Sequence, residues 1–272
     1  MFVTELEREH QKNLERIRCL RLIDDVFMNV YFDDNIEGTE LILRIILDKP
    51  DIIVKSVKTQ RVMKNLIGRD IWLDISATDS DGKEYNVDIQ LTDKGADFKR
   101  ARYLSSIMDA HLLRPTEDFS SLPETYVIFI TENDVIGDGE PIYTVDRIIT
   151  NTGKQFNDGE HIVYVNGADK NALTALGRLM HDFFCTDPDD MFYSELAEKV
   201  RYFKENEKGA ANMNSVLDEM RMEAEQKAVD RRNVEMAKDM ISQGGFPLEL
   251  IAKLSRLTIE RVQELAAQKA LQ

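Results

Sequence analysis

Two aspartates and a glutamine, Asp74, Asp88 and Gln90, are the residues of this 272-residue chain whose types and spacing best suit chemistry. They lie in IWLDISATDSDGKEYNVDIQ, where Ile71, Leu73 and Ile75 alternate with Trp72, Asp74 and Ser76. Beyond the turn, Val87, Ile89 and Leu91 alternate with Asn86, Asp88 and Gln90. This period of two, on both sides of Asp81-Gly82, predicts an antiparallel hairpin with one apolar and one polar face. A turn centred on Asp81 places Asp74 and Asp88 opposite one another, their Cβ atoms roughly 4.5 to 5.5 Å apart. Gln90 points to the same face as Asp88, two residues on.

Two facing carboxylates repel each other unless solvent or a cation offsets the charge. A divalent ion such as Mg²⁺ (or Mn²⁺), held by one or two carboxylates with several waters, suits that arrangement. A register slip of one residue would turn every side chain to the other face and undo it. The plainer alternative is that Asp74, Asp88 and Gln90 are the solvated face of a half-exposed hairpin. Against it, aspartate is a poor strand former and stands at matching positions on both strands. Trp72 on the same face further suggests that the face is not fully solvated.

Other chemistries find little support. His10, His111, His161 and His181 have neither zinc nor triad spacing and read as surface or packing residues. Neither a GxxxxGK[ST] nor a GxGxxG pattern occurs, so no nucleotide cofactor is expected. Cys19 and Cys185 lie far apart with no metal-type spacing, which suits a reducing cytoplasm. No apolar run approaches the roughly 18 residues of a membrane span, and the start, MFVTELEREHQK, lacks the apolar stretch of a secretory signal.

The elements that must position the hairpin are legible in outline. Residues 1–20 read as a loose helix. Val26, Phe27, Val30 and Tyr31 repeat at helical spacing, and Thr39 is a plausible N-cap for TELILRIILD, stopped by Pro50. IIVKSVKTQRVMKNLIG reads as a short strand and an irregular basic stretch. GADFKRARYLSSIMDAHLL is expected to be a helix, and TYVIFIT, PIYTVDRII and HIVYVNG to be strands. Helical residues 171–206 close an α/β domain over 21–206. A long charged helix follows over 207–243, and a small helical hairpin over 244–272, jointed at Leu257-Thr258.

On these segments the chain resembles the PD-(D/E)XK nuclease family transposases, also called recombination-promoting nucleases. The resemblance is carried by DDVFMNVYF, GRDIWLDISATDSDGKEYNVDIQ, KRARYLSS, PETYVIFITENDVIGDGEPIYTVDR and HDFFCTDPDDMFYSELAEKVRYF, in order over about residues 21–206. It implies a restriction-endonuclease-like α/β core, a central mixed sheet flanked by helices, with a helical C-terminal extension. It also implies Mg²⁺-dependent hydrolysis of phosphodiester bonds in DNA, linked to mobile-element recombination. Asp74 and Asp88 would be the metal ligands, and Gln90 the residue that places water. The wider superfamily has lysine where Gln90 stands, and the second acid is usually Glu, one methylene longer than Asp88. Such enzymes often add an acid from a preceding helix. Glu40 is the first candidate and Asp25 the second, although an acid in a helix's first turn is favoured by the dipole in any case. The alternative is a catalytically weak DNA-binding or protein-interaction module that keeps the fold.

The net charge of −15 argues against a surface that coats nucleic acid. It is unevenly spread: residues 55–102 hold ten basic and eight acidic side chains, leaving −17 on the rest. Lys64 and Arg69 lead into the hairpin and Lys99, Arg100 and Arg102 follow it, as the expected phosphate contacts, with Arg102 ranked first. The tail LELIAKLSRLTIERVQELA resembles a helix-turn-helix piece, yet only Thr258, Glu260 and Arg261 could contact bases at its second helix. Packing, or homo-oligomer formation through these helices, is an equal reading.

Overall fold

A computed structural model of the protein describes residues 5–65, 68–91 and 93–270. The first four residues of the N-terminal segment therefore lie outside the described part. The chain divides into two units, 1–214 and 215–272.

The first unit is an α/β structure. In chain order it contains helices α1 (Glu5–Cys19), α2 (Asp25–Phe32) and α3 (Ile36–Leu47), then strands β1 (Val54–Met63), β2 (Ile71–Asp79) and β3 (Glu84–Gln90). Helix α4 (Phe98–Leu112) leads to β4 (Thr125–Thr131), β5 (Ile142–Val145), β6 (Ile148–Ile149), β7 (Lys154–Gln155) and β8 (Glu160–Asn166). Helices α5 (Ala175–Phe184) and α6 (Ser194–Glu205) follow, and α7 (Glu207–Gln243) begins here.

The main sheet has the strand order β1-β2-β3-β4-β8-β5. It is antiparallel from β1 to β3, parallel across β3, β4 and β8, and antiparallel again at β5. This is the expected mixed sheet flanked by helices. Helices α2 and α3 pack on β1, and α4, the crossover between parallel β3 and β4, packs on β4. Every residue of TYVIFIT is buried, as an unbroken apolar run in a central parallel strand requires. Met63, Ile71 and Leu73 join Ala101, Leu104 and Met108 of α4, with Val127, Phe129 and Tyr164, in one buried cluster.

Several local expectations need correction. The stretch 54–63 is a ten-residue strand paired with β2 along its length, because backbone hydrogen bonding outweighs the scattered lysines and arginines that blurred its alternation. Helix α3 starts before Thr39, capped by Asn35, whose Oδ1 accepts from the Gly38 N–H at 3.1 Å. PIYTVDRII breaks after Val145, and its second half pairs with β7 in a separate two-stranded ribbon. The N-terminal segment is docked at its end. Ile17 is fully buried, and the buried Lys204 Nζ donates to the carbonyls of Arg18, Leu20 and Thr186 at 3.0, 2.5 and 2.5 Å.

In the second unit, the end of α7 packs with α8 (Leu248–Ser255) and α9 (Ile259–Ala270) around Ala237, Ile251, Ala252, Val262 and Leu265. The Arg261 N–H donates to Thr258 Oγ1 at 3.3 Å, the capping expected at the joint. Among the described residues, no helix is long and apolar enough to cross a membrane.

Candidate active site

The turn that sets the register is built by Asp79 as well as by Asp81-Gly82. Asp79 Oδ1 accepts from the backbone N–H groups of Asp81 and Lys83, both at 2.9 Å. Tyr85 donates to Oδ2 at 2.7 Å. Gly82 takes φ +81°, a left-handed conformation that only glycine adopts without strain. The pairs Ile75↔Val87, Ser76↔Asn86, Ala77↔Tyr85 and Thr78↔Glu84 are all centred on Asp81. That paired register ends one step short of Asp74 and Asp88.

Beyond Ile75↔Val87 the strands pair through a side chain, with Asp74 Oδ2 accepting from the Ile89 N–H at 3.1 Å. The two carboxyls also share a hydrogen bond. Asp74 is pushed up to about 8, first by burial, then by the charge of Asp88 and the bond they share. Asp88 is raised too, because burial outweighs the pull of Arg100 and Gln90. Asp74 therefore holds its proton at neutral pH beside the Asp88 carboxyl.

Asp88 is fully buried, so β3 has no solvated face. The expectation of one wet face is corrected: β4 fills the edge of β3, and the α4 crossover brings Arg100 onto Asp88. Gln90 Nε2 donates to Asp88 Oδ1, and Arg100 Nη2 donates to Oδ2 at 2.7 Å. Arg100 also anchors the preceding loop, Nη1 donating to the Gly95 carbonyl at 2.8 Å. Arg100, expected as a phosphate contact, is thus engaged by the acid pair. It rises into place because Asp97 caps α4, accepting from the N–H groups of Lys99 and Arg100.

Glu40 is corrected as well. Its Oε2 accepts from the Val54 N–H at 2.9 Å and its Oε1 pairs with Arg44 at 2.6 Å. Val54 pairs with Asp79, five residues along β2 from Asp74, or roughly 16 Å of strand. Glu40 therefore caps the far end of β1. Asp25, at the start of α2, is the helical acid whose charge reaches both Asp74 and Asp88.

Beside the pair lies an open cleft of about 740 Å³, lined by Arg69, Trp72, Lys99, Arg100, Tyr103 and neighbouring residues. Arg69 and Lys99, two of the residues expected as phosphate contacts, are exposed there. Lys64 and Arg102 are also exposed but are not among the described residues lining the cleft.

The donor set suits a hard divalent cation: two neighbouring acidic side chains, which such an ion would hold deprotonated in place of the shared proton. Among the described residues, no group of three or more His, Cys, Asp or Glu is placed to hold a metal. An ion here would rest on Asp74 and Asp88 and take its remaining ligands from water and substrate. Gly95 is a site residue that sequence reasoning missed. A β-carbon there would overlap the Gln90 side-chain amide, so the bare glycine lets that amide lie against Asp88. Its signal, a lone glycine five residues after Gln90, is too slight to read without the fold. No protein-family model matches the chain, and neither does any curated protein or solved structure.

Proposed function

We propose that this chain is a metal-dependent deoxyribonuclease with a restriction-endonuclease-like core, acting in the cytoplasm in the recombination of mobile elements. The observation that carries the reading is the facing pair Asp74–Asp88, with Gln90 on the same strand, beside a cleft that presents Arg69 and Lys99. When bound, Mg²⁺ or Mn²⁺ would polarise a phosphoryl oxygen and lower the pKa of its water.

The protein's own residues supply the rest. Asp88, held by Arg100 and Gln90, would anchor an ion, and Asp74 would have to release its proton to solvent to serve as the second ligand. The Gln90 amide, held between Gly95 and Asp88, offers a donor and an acceptor to orient water, though it brings no charge. Arg69 and Lys99 neutralise backbone phosphates without reading sequence. Because the whole chain carries −15, this grip should be weak and sensitive to salt.

The test is nicking of supercoiled plasmid by the purified chain with Mg²⁺ or Mn²⁺. Asp74→Asn and Asp88→Asn should abolish it while each variant still unfolds in a cooperative melting transition. Metal-independent nicking, or full activity in either variant, would defeat the proposal.

A second reading has its own support. Arg100 occupies an Asp88 oxygen, and a third acid is lacking among the described ligand-forming groups. Both favour a catalytically weak DNA-binding or protein-interaction module, which would bind DNA without cutting it. Exposed Leu250 and Leu254 on α8 support self-association through the C-terminal helices.

A further inference from the structure

Trp72 is the chain's one tryptophan, and it is 57% exposed on a wall of the cleft beside the acid pair. A large aromatic ring left in water gives up the burial that normally justifies its place in a strand. Among the described residues it has no aromatic or cation–π partner, although Leu73 beside it is fully buried. Trp72 precedes Asp74 by two positions on β2, so both leave the same side of the strand, about 6.6 Å apart along it.

The cleft around the indole sets the cations Arg69, Lys99 and Arg100 beside the acids Asp70 and Asp97, and it is braced. Tyr103 donates to the Arg69 carbonyl at 2.6 Å and accepts from Asn65 Nδ2 at 3.0 Å, which holds the loop that carries Arg69 against α4. Lys99 stands on the first turn of α4. The backbone amides of that turn are already taken by Asp97, so phosphate binding falls to the two side-chain cations.

We propose that this cleft takes an unpaired nucleotide, its base stacked on the Trp72 indole and its phosphates on Arg69 and Lys99. The substrate is then single-stranded or locally unpaired DNA. The inference deepens the nuclease reading and rests on it. Within a duplex, both faces of each base are covered by neighbouring pairs. An aromatic platform flanked by cations therefore selects strands whose bases are free. Trp72 stands two positions before Asp74 on β2, so the nucleotide it holds would adjoin the bond to be cut.

The single tryptophan makes the test direct. The full chain in EDTA and low salt is titrated with a fluorescein-labelled thymidylate oligomer long enough to cross the cleft, and separately with a blunt duplex. Tryptophan emission and fluorescein anisotropy are followed together. The single strand should quench the emission as it binds, and the duplex should raise anisotropy without quenching. Trp72→Ala should weaken single-strand binding about 5- to 150-fold and leave duplex binding unchanged, while Trp72→Phe restores most of it. Circular dichroism melts confirm that both variants fold. Single-strand binding without quenching, equal quenching by duplex, or unchanged affinity in Trp72→Ala overturns the inference. Plasmid nicking separates the two ideas: nicking that needs Asp74, together with any of those results, removes the stacking role alone. Failure to bind either form of DNA removes both.

Discussion

The Arg100 guanidinium lies 2.7 Å from Oδ2 of Asp88, a carboxylate with no exposure to solvent. A side chain thus supplies the positive charge that this buried anion needs, and it comes from the helix that crosses from β3 to β4. Arg100 itself remains about one-third exposed, with the cleft beside it. In the nuclease reading, the arginine and a divalent ion compete for the same oxygen, and the displaced guanidinium has a cleft to enter.

Replacing that cation should therefore act on stability and ion binding in opposite directions. Arg100→Gln leaves Asp88 buried beside Asp74 and should cost about 1–3 kcal/mol, less than for a wholly buried pair because Arg100 is partly exposed. Added Mn²⁺ should raise the melting temperature of the variant more than that of the parent. Equal shifts in differential scanning fluorimetry would show that the two do not compete.

The acid pair gives the ion-free chain a definite pH dependence. Asp74 holds its proton more tightly folded than unfolded, rising from the ordinary 3.8 to about 8. The folded state then binds more protons, so this contribution is full at low pH and is lost as pH rises through that window. Thermal melts in EDTA should show it, and Asp74→Asn should flatten the slope. Ion affinity should climb over the same window, since the ligands must be deprotonated.

Gly95 is expected to matter through Gln90. Gly95→Ala must push the Gln90 amide away from Asp88, since the new methyl occupies its place. Nicking should fall at least about tenfold, in line with the loss of one positioned water contact, while Mn²⁺ binding by Asp74 and Asp88 persists. Calorimetry against Mn²⁺ distinguishes this from collapse of the site.

Glu40 and Asp25 should behave differently. Glu40→Gln removes a charged acceptor from the Val54 N–H and should cost about 1.5–3 kcal/mol, measured by urea unfolding, with nicking per folded molecule unchanged. Asp25→Asn should barely alter stability, because Asp25 is exposed, but should weaken Mn²⁺ binding severalfold. Reversal of this pattern would return Glu40 to the site.

Much of the site was legible because a hairpin is a local object. Asp81-Gly82 marks the turn and strand alternation marks the faces, and together they give the register of the hairpin up to Ile75↔Val87 with no knowledge of the rest of the fold. TYVIFIT was legible for the same kind of reason, as a strand buried on both sides needs no polar alternation.

What stayed hidden depended on partners distant in the chain. The alternation in β3 has the pattern of a half-wet strand, and Asp88 is buried in a fold where β4 takes the free edge of β3 and Arg100 of α4 lies on its carboxylate. Arg100 and Lys99 are neighbours with the same charge, yet the helical turn aims one at Asp88 and leaves the other exposed in the cleft. Glu40 carries the composition of a catalytic acid but is drawn to the unpaired Val54 N–H at the other end of the sheet. Local geometry decided which residues face each other across the turn. The tertiary structure decided which of their charges are buried, and so which are paired and which are left for a ligand.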